Sequence, residues 1–309
     1  MSPTSPRKPF LLWIVPLLAA LVAAPLAAQA GNLRYTITVT EFENEAGWAS
    51  SWSIGDAWGA VMTEKLHASG RFIVLGESDM RGAAMGEQDL AASGRTAQGS
   101  KAPVTGQLTP AQLLVKGAIT HVQGSTSGGG GGIRVRGIRV GGNKDKAEIN
   151  ATVYLVDSTT GQVKASKSVT GVAGRRGAGI GYSGSDFGGD FAGFKNDNVG
   201  RAVEDAVAES VEWLVSQLEG VPWTGSVALI RDGQVYVNRG SREGVSAGQE
   251  FVVGTADVIR DPDTGEVLDT EVKEIARLKA TNVREKLTIC DVVKGSAAGV
   301  QQGMMVSLP

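Results

Sequence analysis

Leu108-Thr-Pro-Ala-Gln-Leu-Leu-Val-Lys-Gly-Ala-Ile-Thr120 leads into a glycine-rich excursion, and Ala151-Thr-Val-Tyr-Leu-Val-Asp-Ser-Thr-Thr-Gly-Gln-Val163 follows it. Leu113 to Val122 reads as a strand. Ala147 to Asp157 and Gln162 to Val172 read as a hairpin around Ser158-Thr-Thr-Gly161, which carries glycine where positive φ is needed. Thr109 is expected to cap a short helical turn with Pro110 at its first position, where a missing N–H costs nothing. Ser125 to Gly132 is low-complexity and holds five consecutive glycines.

Upstream of this stretch, Leu33, Tyr35, Ile37 and Val39 alternate with polar residues, the period of a half-buried strand. Glu41-Phe-Glu-Asn-Glu-Ala-Gly47 breaks it. Ile54, Trp58, Met62 and Leu66 recur every fourth residue and so share one helix face. Ser53 can cap that helix and Gly70 can end it. Arg71 to Gly76 reads as a second strand, Asp79 to Ala92 as a weaker helix, and Gly94 to Gly106 as a polar connector. Downstream, Val199, Val203, Val207, Val211, Leu214 and Leu218 form a long apolar helical stripe ended by Gly220. Strand, helix, strand and a returning helix point to an α/β layer domain.

Val221-Pro222 marks a boundary. Beyond it lie short strands with no helical period: Ser226–Ile230, Gln234–Asn238, Glu250–Val253, Val267–Leu268, Glu274–Thr281 and Thr288–Val293. Turn signals at Asp232-Gly233, Asp261-Pro-Asp-Thr-Gly265 and Lys294-Gly295 separate them, the pattern of a small β-barrel. The expected architecture is therefore α/β, with helices packed on a mixed β-sheet, two glycine-rich β-hairpin insertions, and a small all-β barrel behind them.

The first thirty residues read as an export signal. Arg7 and Lys8 give a positive start, Phe10 to Ala24 is apolar except at Pro16, and Ala28-Gln29-Ala30 supplies the cleavage pattern. The apolar run is shorter than the ~20 residues of a spanning helix. A lipoprotein would carry cysteine just after it, where Gly31 and Asn32 stand, so no lipid anchor is expected. The division expected is a signal peptide over 1–30, an α/β domain over 31–220 and a barrel domain over 221–309.

The formal charge of the 309-residue chain is −2, and loss of Arg7 and Lys8 makes it two units more negative. Such a surface argues against nucleic acid, which needs clustered Lys and Arg. Cys290 is the single cysteine, so no internal disulfide forms, and its setting in Leu287-Thr-Ile-Cys-Asp-Val-Val293 is that of a packed strand residue.

Several segments together carry a family resemblance: Thr40-Glu-Phe-Glu-Asn44, Lys65-Leu-His-Ala-Ser-Gly-Arg-Phe-Ile-Val74, Leu113-Leu-Val-Lys-Gly-Ala-Ile119 and Leu155-Val-Asp-Ser-Thr-Thr-Gly-Gln-Val163. In this order and spacing, residues 33–218 resemble the curli secretion channel family (CsgG/HfaB). Val235-Tyr-Val-Asn-Arg-Gly-Ser-Arg-Glu-Gly-Val-Ser-Ala-Gly-Gln-Glu-Phe251 through Asp261-Pro-Asp-Thr-Gly-Glu-Val-Leu268 resembles the small barrel of a flagellar outer-membrane-ring protein, which the curli channel does not carry.

The resemblance implies a periplasmic α/β domain that assembles into a homo-oligomeric ring at the outer membrane and passes a secreted polypeptide or polymer. It implies two barrel-forming hairpins at about 123–150 and 169–196, and a pore-narrowing loop from Ala46 to Ser53. A transmembrane strand needs ~9–11 residues with alternate ones facing lipid. Ile133-Arg-Val-Arg-Gly-Ile-Arg-Val140 alternates, and a bulge at Gly137 would hold Ile133, Val135, Ile138 and Val140 on one face. In the second segment Ile180, Tyr182, Phe187, Phe191 and Phe194 supply aromatic and apolar groups among glycine and aspartate. The bland alternative is a pair of soluble glycine-rich loops. In the narrowing loop Trp48 and Trp52 are the only large groups, and packing on the domain's own surface or on a neighbouring subunit is the competing reading.

Catalytic chemistry finds little support. Gly179-Ile-Gly-Tyr-Ser-Gly184 fits G-x-G-x-x-G, but no helix-forming segment follows it. Asp261-Pro-Asp-Thr-Gly265 reads as a turn, without calcium-loop spacing. His67 and His121 have no metal-ligand spacing, and Glu204 and Asp205 read as the solvated side of the long helix. No enzyme activity, cofactor or metal site is expected. The alternative to a secretion ring is a soluble periplasmic scaffold that docks partners through its barrel.

Overall fold

The computed structural model describes residues 33–124, 133–135, 138–140, 147–173, 194 and 198–309. From Asn32 onward the chain forms one compact unit. Strand β1 (Tyr35–Asn44) is followed by α1 (Ile54–Ala68), β2 (Phe72–Val74), α2 (Ser78–Ala92) and β3 (Leu113–Gln123). After the short strands β4 (Ile133–Val135) and β5 (Ile138–Val140) come β6 (Glu148–Asp157), β7 (Val163–Val172) and α3 (Asn198–Gln217). Strands β2-β1-β3-β6-β7 make a mixed sheet in that order, with β1 parallel to β2 and β3, and the pairs β3–β6 and β6–β7 antiparallel.

Sequence periodicity explains the packing of this sheet. Ile37 and Val39 of β1 are fully buried, as are Trp58, Met62 and Leu66 of α1, and α1 packs against β1, β2 and α3. Ser53 caps α1 as expected, its hydroxyl accepting from Asp56 N at 3.3 Å. All six residues of the stripe, five in α3 and Leu218 just after it, are buried, and α3 packs against β6, β7 and α1. Each large aliphatic side chain so buried contributes about 1.5–3 kcal/mol. That burial, rather than the weak helix propensity of valine, holds α3.

The intervening polar residues of β1 are covered too. Thr36 and Thr38 are buried, and the connector before β3 and the turn after β2 supply their partners. Thr36 Oγ1 donates to Pro110 O at 3.0 Å, Gln112 N donates to Thr36 Oγ1 at 3.0 Å, and Thr38 Oγ1 donates to Gly76 O at 2.7 Å. Here a sequence expectation fails: Thr109 and Pro110 start no helical turn. Pro110 instead offers its carbonyl to β1, and Gln112 N also reaches Thr36 O at 3.0 Å.

After a short 3₁₀ turn at Leu218–Gly220 the chain enters the second sheet. Strands β8 (Thr224–Arg231), β9 (Gln234–Val237), β10 (Glu250–Arg260), β11 (Val267–Val283), β12 (Thr288–Gly295) and β13 (Met305–Ser307) close a barrel in the order β10-β11-β12-β9-β8-β13. Its interior holds Val235, Val237, Phe251, Val253, Leu278, Cys290 and Val306, and Trp223 stacks on Phe251 with ring centroids 5.2 Å apart. The α/β layers and the barrel share one continuous apolar core. Tyr35 Oη donates to Val221 O at 2.6 Å and Arg34 N to Glu243 O at 2.9 Å, so the barrel sits at the starting end of β1. The fold class is thus the expected α/β body followed by a small barrel.

Three details of the barrel differ from expectation. β13 was not legible, because three residues give too short a pattern, yet it pairs with both β8 and β10 and closes the barrel. Val267–Leu268 and Glu274–Thr281 are one strand, β11, and β10 continues past Val253 to Arg260. Together they form a long ribbon that runs out of the barrel. Its register shifts between Val253 and Gly254, where a Cβ would lie 2.0 Å from Lys273 O. Only glycine admits that close approach, and the bulge turns the ribbon away from the barrel wall.

Candidate functional site

Because β1, β3 and β7 run in the same direction, their ends lie at one edge of the mixed sheet, opposite the barrel. The registers Asn44↔Ile119, Gln123↔Glu148 and Glu148↔Val172 set those ends side by side. Neighbouring strands are ~4.8 Å apart, so the exits of β3 and β7 are separated by about 10 Å. From them leave the loop at 45–53, the connection between β3 and β6, and the connection between β7 and α3.

The two longer connections share a neck. Ala173 N donates to Ala147 O at 2.9 Å, and Ala147 is fully buried. Val172 N donates to Asp205 Oδ2 at 3.1 Å. Asp205 is therefore not simply a solvated helix carboxylate. It faces the strand end and fixes where the second excursion departs, a role that helical periodicity could not reveal. Close packing beneath the neck is equally demanding: a Cβ on Gly171 would lie 1.9 Å from Ala202 O and 2.8 Å from Ala206 Cβ.

Within the first excursion, β4 and β5 pair antiparallel with each other, in the register Ile133↔Val140, Arg134↔Arg139 and Val135↔Ile138. The segment is two short strands, where the sequence pattern reads as one longer strand with a bulge at Gly137. Backbone hydrogen bonding favours folding back over leaving one strand unpaired. Ile180, Tyr182, Phe187 and Phe191 of the second excursion lie outside the described residues, as does the G-x-G-x-x-G stretch. Phe194, grouped with them by composition, is a core residue with only 1 % of its surface exposed.

Phe194 anchors the third segment. Trp52 meets it edge-on at 5.1 Å between centroids, and Trp48 tilts against Trp52 at 4.4 Å. Trp52 is 7 % exposed and Trp48 half-buried. The loop backbone is tied down as well. Ala46 N donates to Ile119 O at 2.8 Å, Asn44 Nδ2 to Trp48 O at 2.7 Å, and Trp48 N to Asn44 Oδ1 at 3.2 Å. The structure thus brings the two tryptophans together on their own domain's core.

Among the described residues no catalytic constellation accompanies this edge. His67 and His121 are both exposed and on different elements, and among the described residues no three His, Cys, Asp or Glu side chains are placed to hold a metal. Cys290 is buried in the barrel, where burial, aided by Asp291, pushes its thiol up to about 12. Asp261-Pro-Asp-Thr-Gly265 is the expected turn: Asp261 Oδ1 accepts from Asp263 N at 2.7 Å and Thr264 N at 3.1 Å, holding that carboxyl below its ordinary range. Among the described residues no helix is long and apolar enough to cross a membrane, which leaves crossing by strands untouched.

A family model described as the curli production assembly/transport component CsgG matches residues 20–250, from before β1 to the first residue of β10. The chain belongs to the CsgG family. It is accordingly a component of cell-envelope assembly or transport, and the family is not one of enzymes. The CsgG match covers the whole α/β body with both excursions, whereas most of the ribbon and the closing strands of the barrel lie beyond it. No curated protein sequence matches the chain.

Solved structures similar to it include the PelC dodecamer from Paraburkholderia phytofirmans, at 12 % identity and TM-score 0.31, covering 57 % of this chain and 85 % of that one. The hypothetical protein CT253 from Chlamydia trachomatis is also 12 % identical, with TM-score 0.34, covering 59 % and 96 %. The lipoprotein GNA1162 from Neisseria meningitidis is 17 % identical, with TM-score 0.26, covering 60 % and 99 %.

Proposed function

We propose that this CsgG-family protein is an exported component that forms a homo-oligomeric ring at the outer membrane and passes a polypeptide or polymer across it. The observation that carries the reading is the convergence of three segments on one sheet edge. The excursions leaving β3 and β7 depart about 10 Å apart, from a neck tied by Ala147, Ala173 and Asp205. Strands that leave a rigid body side by side can pair with those of neighbouring copies, and a membrane admits them only when every backbone group finds a partner. In this reading Ile133, Val135, Ile138 and Val140, with Ile180, Tyr182, Phe187 and Phe191, supply the face toward lipid or toward the next subunit. Trp48 and Trp52 stand beside the pore entrance, on a loop stiffened by its own core contacts.

A second reading is favoured by one specific feature. The barrel, most of whose ribbon and closing strands lie outside the family match, sends that ribbon into solvent, as befits a soluble periplasmic scaffold that docks partners through its barrel. Membrane fractionation of the native protein separates the two, combined with particle size in detergent and in plain buffer. A large particle that stays with outer membranes and needs detergent for release supports the channel. A small particle, soluble in buffer and free of membranes, refutes it and leaves the scaffold.

A further inference from the structure

The ribbon formed by Thr255–Arg260 and Val267–Lys273 leaves much of its apolar and charged surface uncovered. Beyond Gly254 every residue of β10 is exposed, and β11 is exposed or half-buried as far as Ile275. Val258, Ile259, Val267 and Leu268 are all exposed, Leu268 by 60 %. The ribbon also carries the carboxylates Asp257, Asp261, Asp263, Glu266, Asp269 and Glu271 against two cations, Arg260 and Lys273. Asp257 and Glu271 are direct cross-strand partners, an arrangement that destabilises an isolated ribbon. Arg260 is engaged with the turn, donating to Gly265 O at 3.0 Å. An arm that is both apolar and acidic, with like charges facing each other, is built to be covered by something cationic and partly apolar.

The same barrel presents such a surface. A cavity of about 460 Å³ opens between β8, β10 and β13, lined by Ser226, Arg239, Gln301, Met304 and Met305 together with Ala256 at the ribbon root. Arg239 is held by donating from Nε to Thr224 O at 3.0 Å and from Nη1 to Asn238 O at 3.1 Å, while its Nη2 has no hydrogen-bond partner among the described residues. The two methionines supply adaptable apolar wall. Cation, polar rim and apolar wall match the chemistry of the ribbon tip. Within one chain the two cannot meet, because the cavity is at the ribbon root and six residues of strand carry the tip about 20 Å away.

We propose that the ribbon is an assembly arm whose tip, from Asp261 to Asp269, docks into the Arg239 cavity of a second copy of this chain. The contact joins two different patches of one surface, so it is heterologous and propagates around a ring. It rests on the homo-oligomer reading above and names a surface through which the copies meet.

The experiment uses full-length chain in two single variants, Asp263→Cys at the ribbon tip and Gln302→Cys on the cavity lining, mixed at assembling concentration and oxidised. Cys290 is buried and does not compete. A disulfide-linked heterodimer, absent when either variant is oxidised alone, is the expected result. A companion variant, Asp263→Lys with Asp269→Lys, alters only exposed residues and should weaken self-association roughly tenfold or more, as loss of a complementary charge contact does. Unchanged self-association of that variant, or a ring that forms without the heterodimer, overturns the arm and leaves the ring intact. Monomers alone from the unmodified chain overturn the ring reading and the arm with it. A ribbon that retains a different, basic protein while self-association is unaffected also overturns it.

Discussion

Replacing Trp52 with alanine tests whether the loop before α1 belongs to its own domain. A buried indole removes about 150–250 Å² from water, worth ~4–6 kcal/mol at ~25 cal/mol per Å². Trp52 retains 7 % exposure, alanine keeps part of the burial, and a loop near the surface can collapse toward the gap. The expected loss is therefore about 3–4 kcal/mol. Trp48→Ala, at a half-buried position, should lose about 1–1.5 kcal/mol. Because the rings stand 4.4 Å apart, the double variant should reveal a coupling of ~0.5–1.5 kcal/mol. The measurement is urea unfolding followed by far-ultraviolet circular dichroism, repeated at two protein concentrations so that any linkage to assembly is visible. A loss below about 1 kcal/mol for Trp52→Ala would refute the packing argument and leave the loop free to project into a pore.

Four further outcomes follow from the packing and the titrating groups. Gly171→Ala forces α3 away from β7, because its Cβ would meet Ala202 O at 1.9 Å, and should destabilise by about 3 kcal/mol in the same assay. Gly86→Ala, in the middle of α2 with open space around it, should instead stabilise by about 1 kcal/mol, and equal effects of the two would discredit the close contact. Cys290 should resist an aromatic disulfide reagent in the native protein near pH 8 and react fully once unfolded, since burial pushes its pKa to about 12; rapid native labelling would contradict this. Glu77 has its pKa raised by burial, with Asp79 and Asp56 adding to the shift. The protonated carboxyl is the form the fold prefers, so its contribution is complete below the ordinary value of 4.5 and is lost as pH rises through the folded value. Glu77→Gln should flatten that decline, and a denaturation series between about pH 4 and 7 showing no difference would remove Glu77 as its source.

The buried stripe of α3, the face of α1 with its Ser53 cap, the alternation of β1 and the hairpin of β6 and β7 were all legible in the sequence, because each is a local period matched to one buried face. The glycine-rich excursions and the family's order of motifs were legible for the same reason: composition and spacing are properties of neighbours along the chain. Trp48 and Trp52 could be seen as the only large groups of their loop, but their anchor, Phe194, is far away in sequence and was grouped by composition with a different set of aromatics. Asp205 looked solvated because helix periodicity records which face is polar, and nothing in it records a strand end arriving there.

What the sequence alone determined, then, is the kind of body this is: an α/β layer with two glycine-rich excursions and a small barrel. Alternation, helical stripes and turn residues act over a few positions, and those distances suffice to set each element. The tertiary structure decided what is adjacent to what. It gathered three segments on one sheet edge, closed the barrel with the three-residue β13, and joined β10 to β11 in a ribbon rooted beside the Arg239 cavity. Those outcomes depend on long-range pairing and on backbone approaches as close as those at Gly171 and Gly254, which no local pattern encodes.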